Sequence, residues 1–370
     1  MREESELRVS APGRIVLFGE HQDYLGLPII AAAINLRITI SGRRRKDRIL
    51  SLNLPDTDEH LEFPIDKEAL YEKDRDYLRS GFNILQRKGV FLRSGWECTL
   101  RGNIPINSGT ASSSALVVAW IKFLLEASGS LKYRTPEEIA DLGFEAEVAE
   151  FNEPGGKMDH YTSALGGVIS IHFDEKLRIR RFKNQLGQFV LADSMEKKDT
   201  TGMLGFIKGN VLRGVEKVKK SIEDFSLQSS LNQDAKREIK TLPADEKRLL
   251  LGTLLTRDLT VEGEKLFSSI EFNHARFGQL LTEQYRVLKE YLHLSTPKLE
   301  KLIETSLRAG ALGAKINGSG GGGCIFAYAP GKAEKVAHAL QSQGAKADII
   351  SIDRGAKAEK REKHLPQEEE

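Results

Sequence analysis

Ile104-Pro105-Ile106-Asn107-Ser108-Gly109-Thr110-Ala111-Ser112-Ser113-Ser114-Ala115 is the stretch on which the reading of this chain turns. Its small residues lead straight into Ala115–Ala127, an apolar segment suited to a fully buried helix. Small residues let a backbone approach a ligand closely. Free N–H groups at a helix N-terminus attract anions, and serine hydroxyls add donors or reach a bound Mg²⁺. The combination makes a phosphate cradle. It is not the GxxxxGKS/T P-loop, which the chain lacks. Taken alone, the stretch reads equally as a serine-capped buried helix with a flexible lead-in, so the surrounding segments decide.

Working outward, Gly318-Ser319-Gly320-Gly321-Gly322-Gly323 lies between the strand-like segments Ala311–Ile316 and Cys324–Ala329. Ordering so many glycines costs backbone entropy. The run therefore predicts close approach to a ligand or another loop, against the plainer reading of a loose connector. Near the N-terminus, Gly13-Arg14 through Gly19-Glu20-His21-Gln22-Asp23-Tyr24 packs several polar side chains after a strand. Glu20 and Asp23 accept hydrogen bonds from hydroxyls and Arg14 donates, which suits a polyol; a solvated turn is the alternative. In Gly155-Gly156-Lys157-Met158-Asp159-His160 a glycine pair opens a helix. That puts Asp159 in the first turn, where the helix dipole favours a carboxylate, although acids are commonplace there.

The chain has 370 residues, 40% hydrophobic and 29% charged, a globular composition. Domains usually span about 100–200 residues, so two are expected: 1–185 and 186–355, followed by a charged, disordered tail at 356–370. The boundary falls where strands give way to helices, the stretch from Gly205 to Glu290 being mainly helical in pattern. With 55 basic and 53 acidic residues the net charge is +2, which gives no electrostatic reason for a nucleic-acid partner. The basic run Arg43–Lys46 reads as a hairpin tip joining the alternating Leu36–Ile40 to Ile49–Leu54, and Lys217–Lys220 as an exposed helix face. Leu7–Val9 and Ile15–Phe18 look like separate strands around a turn at Ala11-Pro12-Gly13, and Thr135-Pro136-Glu137-Glu138 is a helix start for a helix reaching about Phe151. Cys98 and Cys324 form no CxxC or Cys/His cluster, so zinc and redox motifs are absent and both read as small core residues. No apolar run approaches the roughly 18–20 residues of a membrane span. The charged N-terminus lacks a signal-peptide core. A cytoplasmic protein with no membrane or nucleic-acid partner is expected.

The four segments, in this order, resemble the GHMP kinase superfamily over about Arg8 to Tyr328. The serine loop resembles its PxxxGLxSSSA motif, and Gly313–Cys324 its C-terminal glycine motif. Within the superfamily the chain looks most like the galactokinases. Gly13–Tyr24 resembles GRxNLIGEHxDY, Met158-Asp159 with Ser163–Gly166 resembles MDQxxSxxG, and Gln284–Lys301 resembles the helix before the last motif. Mevalonate kinases typically carry lysine in place of Arg14 and lack the acid at Asp23. The resemblance implies an α+β, two-domain GHMP kinase fold. Its N-terminal domain would be ribosomal-protein-S5-like and its C-terminal domain ferredoxin-like, with ATP and acceptor between them.

Residue by residue, it implies that Asp159 is the catalytic carboxylate, as base or as electrostatic positioner, with Arg14 beside it. Arg14, Glu20, His21, Asp23, Gly156 and Asp159 would bind the sugar. The backbone of Gly109, Thr110, Ala111, Ser112, Ser113 and Ser114 would wrap the phosphates of ATP, and Ser114 and Glu147 would hold Mg²⁺. Phosphoryl transfer needs mostly positioning and charge neutralisation, which these groups supply. The implied activity is an ATP-dependent sugar kinase acting on the anomeric hydroxyl of galactose or a related aldose or uronic acid, working as a monomer or homodimer. The alternatives are a mevalonate-type kinase or an inactive sugar-sensing regulator. Lys157 and His160 depart from the galactokinase pattern beside Asp159 and are expected to alter the sugar preference. Ile207–Leu259 has no counterpart in that pattern.

Overall fold

The computed structural model describes residues 6–173, 176–183, 185–197 and 200–361. Strands β1 (Glu6–Phe18) and β2 (Ile29–Arg44) pair antiparallel. The turn expected at Ala11-Pro12-Gly13 is instead a register shift inside one continuous strand. A bulge is where a strand tolerates a residue that cannot donate to the ladder. Strand β3 (Ile49–Leu54) does not form the expected hairpin with β2. It pairs antiparallel with β4 (Glu59–Pro64). After helix α1 (Tyr77–Arg87), strand β5 (Trp96–Gly102) inserts between β2 and β3, antiparallel to the first and parallel to the second. Buried Trp96, Cys98 and Leu100 alternate along β5, giving it a core face that this central position covers.

Helix α2 (Ser112–Ser128) runs through the core, with Trp120 and Phe123 fully buried. Helix α3 (Pro136–Phe144) starts on a capping box: the Glu138 N–H donates to Thr135 Oγ1, and the Thr135 N–H to the Glu138 carboxylate. It stops short of Phe151 because residues Glu145–Ala149 form a π-helical turn, a common device at functional sites. That turn leaves Glu147 buried. Helix α4 (Met158–Leu165) and strands β6 (Val168–Phe173) and β7 (Leu177–Phe182) follow, with β6 pairing to the first part of β2.

The second half contains β8 (Phe189–Asp193), α5 (Thr200–Lys219), α6 (Gln233–Lys240), α7 (Ala244–Phe267), α8 (His274–Glu290) and α9 (Pro297–Ala309). It ends with β9 (Gly313–Ile316), β10 (Cys324–Tyr328), α10 (Ala333–Gln341) and β11 (Lys346–Ile350). Its sheet is antiparallel, in the order β11-β8-β10-β9. The chain then returns to the first half, where β12 (Lys357–Arg361) pairs with β1. The tail expected to be disordered is therefore a strand over these residues: β1 offered an open edge, and an exposed ladder takes up any strand that reaches it. Residues 362–370 lie outside the described residues. A shared core of Ile15, Phe18, Phe189, Phe277, Phe326 and Tyr328 joins the halves, with Phe277 edge-on to Phe18, Phe189 and Tyr328. Among the described residues no helix is long and apolar enough to cross a membrane.

Candidate active site

The serine loop is held from behind. The Cys324 N–H donates to Ser108 O (2.9 Å), and Ser108 Oγ donates to Asp193 Oδ2 (2.7 Å). Asn317 Nδ2 donates to Gly109 O (2.8 Å). A side chain at Gly318 or Gly323 would collide with the Gly109 or Ser108 carbonyl, at 2.7 Å each. The glycine run thus makes its close approach to another loop. Ala111 caps α2 in the left-handed region, φ 60°, uncommon for a residue with a side chain. The first N–H groups of α2 have no intrahelical partners. Gly109, Ala111, Ser112, Ser113 and Ser114 line a cavity of about 480 Å³. Thr110 does not line it: its hydroxyl donates to Pro105 O (3.1 Å) and its carbonyl accepts from the Arg14 N–H (3.1 Å).

Arg14, Glu20, His21, Asp23, Glu147, Gly156 and Asp159 line the same cavity. Arg14 grips Asp159 in a fork, Nε to Oδ1 and Nη2 to Oδ2 at 2.7 Å each. Its Nη1 donates to Gly109 O at 2.5 Å. One buried guanidinium thus joins the carboxylate to the serine loop. The Met158 N–H donates to Asp23 (3.2 Å). Burial first, and the nearby Asp159 charge second, push the Asp23 carboxyl up to about 6. A Cβ on Gly156 would lie 2.1 Å from Asp23 Oδ2, so the glycine makes room for this carboxylate.

Glu20 is fully buried. One of its oxygens accepts from Lys315 Nζ, while Oε2 has no partner among the described residues. The His21 ring sits between Tyr24 OH (2.7 Å from Nδ1) and Ser319 O (3.1 Å from Nε2). Glu147 Oε2 lies 2.6 Å from His160 Nε2, both side chains buried. Burial raises the Glu147 carboxyl, but the His160 imidazole and the Ser113 and Ser114 hydroxyls outweigh it and hold the group below the usual range. Lys157 does not line the cavity. It pairs with Asp141 (2.7 Å) and lies 5.3 Å from the centre of the Phe144 ring.

Among the described residues no three or more His, Cys, Asp or Glu side chains gather to hold a metal. One carboxylate with neighbouring hydroxyls is nevertheless the hard-oxygen set that Mg²⁺ accepts when phosphates complete its shell. Glu147 with Ser114 fits that chemistry.

Some of the cavity was not foreseen from sequence. Ile38, Leu54, Leu100, Ile104, Ile106 and Leu116 also line it, with Tyr77 and the charged Asp56, Arg75 and Arg101. These residues come from separate strands and carry no local motif. Lys315 and Asn317 also went unassigned. Their signal was legible as polar residues next to an otherwise apolar buried strand.

Fold and site together define an alcohol-phosphorylating kinase architecture, and the chain belongs to the GHMP kinase family. The GHMP kinases N terminal domain matches residues 76–167, the GHMP kinases C terminal domain matches 266–346, and the galactokinase galactose-binding signature matches 2–44. Members are phosphotransferases that use ATP. Among relatives, a mevalonate kinase of Thermococcus sibiricus is 30% identical, covering 93% of this chain and 96% of its own. A galactokinase of Actinobacillus succinogenes is 26% identical, covering 88% and 85%. In structure, Lactococcus lactis galactokinase complexed with galactose matches with a TM-score of 0.80 at 22% identity, covering 95% of each chain. Methanococcus jannaschii mevalonate kinase matches with a TM-score of 0.71 at 22% identity, covering 94% of this chain and 98% of its own.

Proposed function

We propose that this chain is an ATP-dependent sugar kinase that transfers the γ-phosphate to a hydroxyl of a neutral sugar, the anomeric hydroxyl of galactose or a related aldose. The observation that carries this reading is the placement of Arg14, which bonds both Asp159 and the Gly109 carbonyl. It puts a fixed positive charge between a carboxylate and the phosphate loop, where a phosphoryl group in transit is most negative.

In the proposed reaction the triphosphate lies on the N-terminus of α2, its base against apolar residues of the cavity such as Ile104, Ile106 and Leu116. Asp159 orients the attacking hydroxyl and takes its proton, or holds it in line. Arg14 keeps that carboxylate in place and neutralises charge on the transferring group. Asp23, and Glu20 through Oε2, which has no partner among the described residues, accept hydrogen bonds from other hydroxyls of the acceptor. Ser114 and Glu147 are the residues that would hold Mg²⁺, which neutralises phosphate charge when bound.

The mevalonate reading has a specific point in its favour, the 30% identity to the mevalonate kinases of Thermococcus sibiricus and Pyrococcus furiosus. The acceptor end weighs against it. Arg14 and Lys315 are each already paired with a carboxylate, and Asp23 adds a negative charge above pH of about 6. A carboxylate-bearing acceptor, mevalonate or a uronic acid, would meet like charge there. An inactive sugar sensor fits less well, because Asp159, Glu147 and the serine loop are all in place. The test is ADP release with Mg·ATP across a panel of neutral sugars, uronic acids and mevalonate. Turnover with galactose or another neutral aldose is expected; turnover with mevalonate alone would refute the reading.

A further inference from the structure

Lys315 lies on β9 of the second half, yet its ammonium serves the first. Its side chain is fully buried, and Nζ donates to the Val16 carbonyl (2.9 Å), the Ile316 carbonyl (3.1 Å) and Glu20 Oε1. All three donors are thereby used. Glu20 is equally buried, and its second oxygen, Oε2, has no partner among the described residues. A carboxylate oxygen left unpaired in the interior is expensive unless something fills it. Glu20 lines the cavity, so what fills it comes from the cavity.

We infer that Lys315 is a positioning residue for the acceptor: it fixes Glu20 through one oxygen, so that the other is presented to a hydroxyl of the bound substrate. The inference rests on the acceptor site proposed above. It assigns to the second half of the chain a part in acceptor binding exerted through Glu20, separate from the support its glycine run gives to the serine loop. It also sets a demand on the acceptor, which must place a hydrogen-bond donor at Glu20. A methyl or carboxylate there would leave Oε2 unpaired or opposed.

Asn317, two residues on, works in parallel. Its Oδ1 accepts from the Val16 N–H (2.9 Å) and its Nδ2 donates to Gly109 O (2.8 Å). Lys315 and Asn317 together hold the end of β1 against the second half at the point where Glu20 leaves the strand. Burial, and secondarily Arg14, push the Lys315 ammonium below its ordinary range, while direct contact with a carboxylate opposes this.

The experiment compares Lys315→Met, of similar length but without a donor, with Lys315→Gln, which keeps a neutral donor. The acceptor panel on the wild-type protein comes first and decides the sugar reading by itself; the variants are then assayed with whichever acceptor turns over, galactose being the first tried. Lys315→Met is expected to raise the acceptor KM by about tenfold or more, the loss of one charge-assisted hydrogen bond. The KM for ATP should stay within about twofold, and Lys315→Gln should fall between. A purely structural lysine would lower the melting temperature and leave the ratio of the two KM values untouched. That result in either folded variant overturns the inference. If Lys315→Met does not fold, Lys315→Gln carries the test on the same ratio. Should no acceptor turn over with the wild-type protein, the proposed function and this inference both fall.

Discussion

Replacing Asp23 by asparagine should stabilise the ligand-free protein above neutral pH while removing acceptor binding. In the folded chain the Asp23 carboxyl titrates at about 6, against an ordinary 3.8. The folded state therefore holds this proton more tightly than the unfolded chain does. Its contribution to stability is complete below about pH 3.8 and is lost as pH rises through about 6. At about 1.4 kcal/mol per pH unit, the shift corresponds to about 3 kcal/mol at most. Asp23 is half-buried rather than sealed, so about 1–2 kcal/mol is the better expectation. Asparagine keeps the acceptor oxygen that receives the Met158 N–H but carries no charge. Urea unfolding of Asp23→Asn and wild type at pH 4 and pH 8 reads the difference. The variant should gain about 1–2 kcal/mol at pH 8 and nothing at pH 4, with acceptor KM rising in parallel. This is the usual exchange of stability for function at a site that binds its ligand with strained charge. A variant less stable than wild type at pH 8, or equally shifted at both pH values, would show that Asp23 is not an uncompensated carboxylate.

Two other outcomes follow from the same cavity. Arg14→Met removes the fork on Asp159 and the bond to Gly109 O. It should lower kcat by about 10²–10³-fold, the usual loss for a pre-placed charge at the reacting group; a change in KM alone, seen in steady-state kinetics, would remove Arg14 from the chemical step. His160→Ala takes away the imidazole that holds the Glu147 carboxylate. It should weaken divalent-ion binding about tenfold, as measured by Mn²⁺ titration followed by electron paramagnetic resonance. Unchanged Mn²⁺ affinity would mean that Glu147 is not a ligand.

Much of this site was legible in the sequence because its chemistry is local. A helix N-terminus preceded by small residues leaves N–H groups free for an anion, and Ser112, Ser113 and Ser114 lie within its first turn. The capping box at Thr135 and Glu138, and Asp159 in the first turn of α4, are likewise fixed by residues a few positions apart. The polar residues Arg14, Glu20, His21 and Asp23 stand close together in sequence and line the same cavity. Sequence also placed the glycine run correctly as a point of close approach, without saying what it approaches.

Only tertiary structure decided the rest, because those features depend on partners far apart along the chain. Lys315 meets Glu20 across 295 positions and Asn317 meets Gly109 across 208. No periodicity encodes such pairs, since the energy that selects them is the burial of polar groups which must find each other. The insertion of β5 between β2 and β3, and the return of Lys357–Arg361 to the edge of β1, have the same origin. Strand propensity says that a segment pairs, not with which ladder. The turning of Lys157 toward Asp141 and of His160 toward Glu147 was set by whichever opposite or accepting group the fold brought within reach. The serine loop's composition determined that a helix N-terminus with small residues before it would form here; the long-range contacts behind it determined which side chains share its cavity.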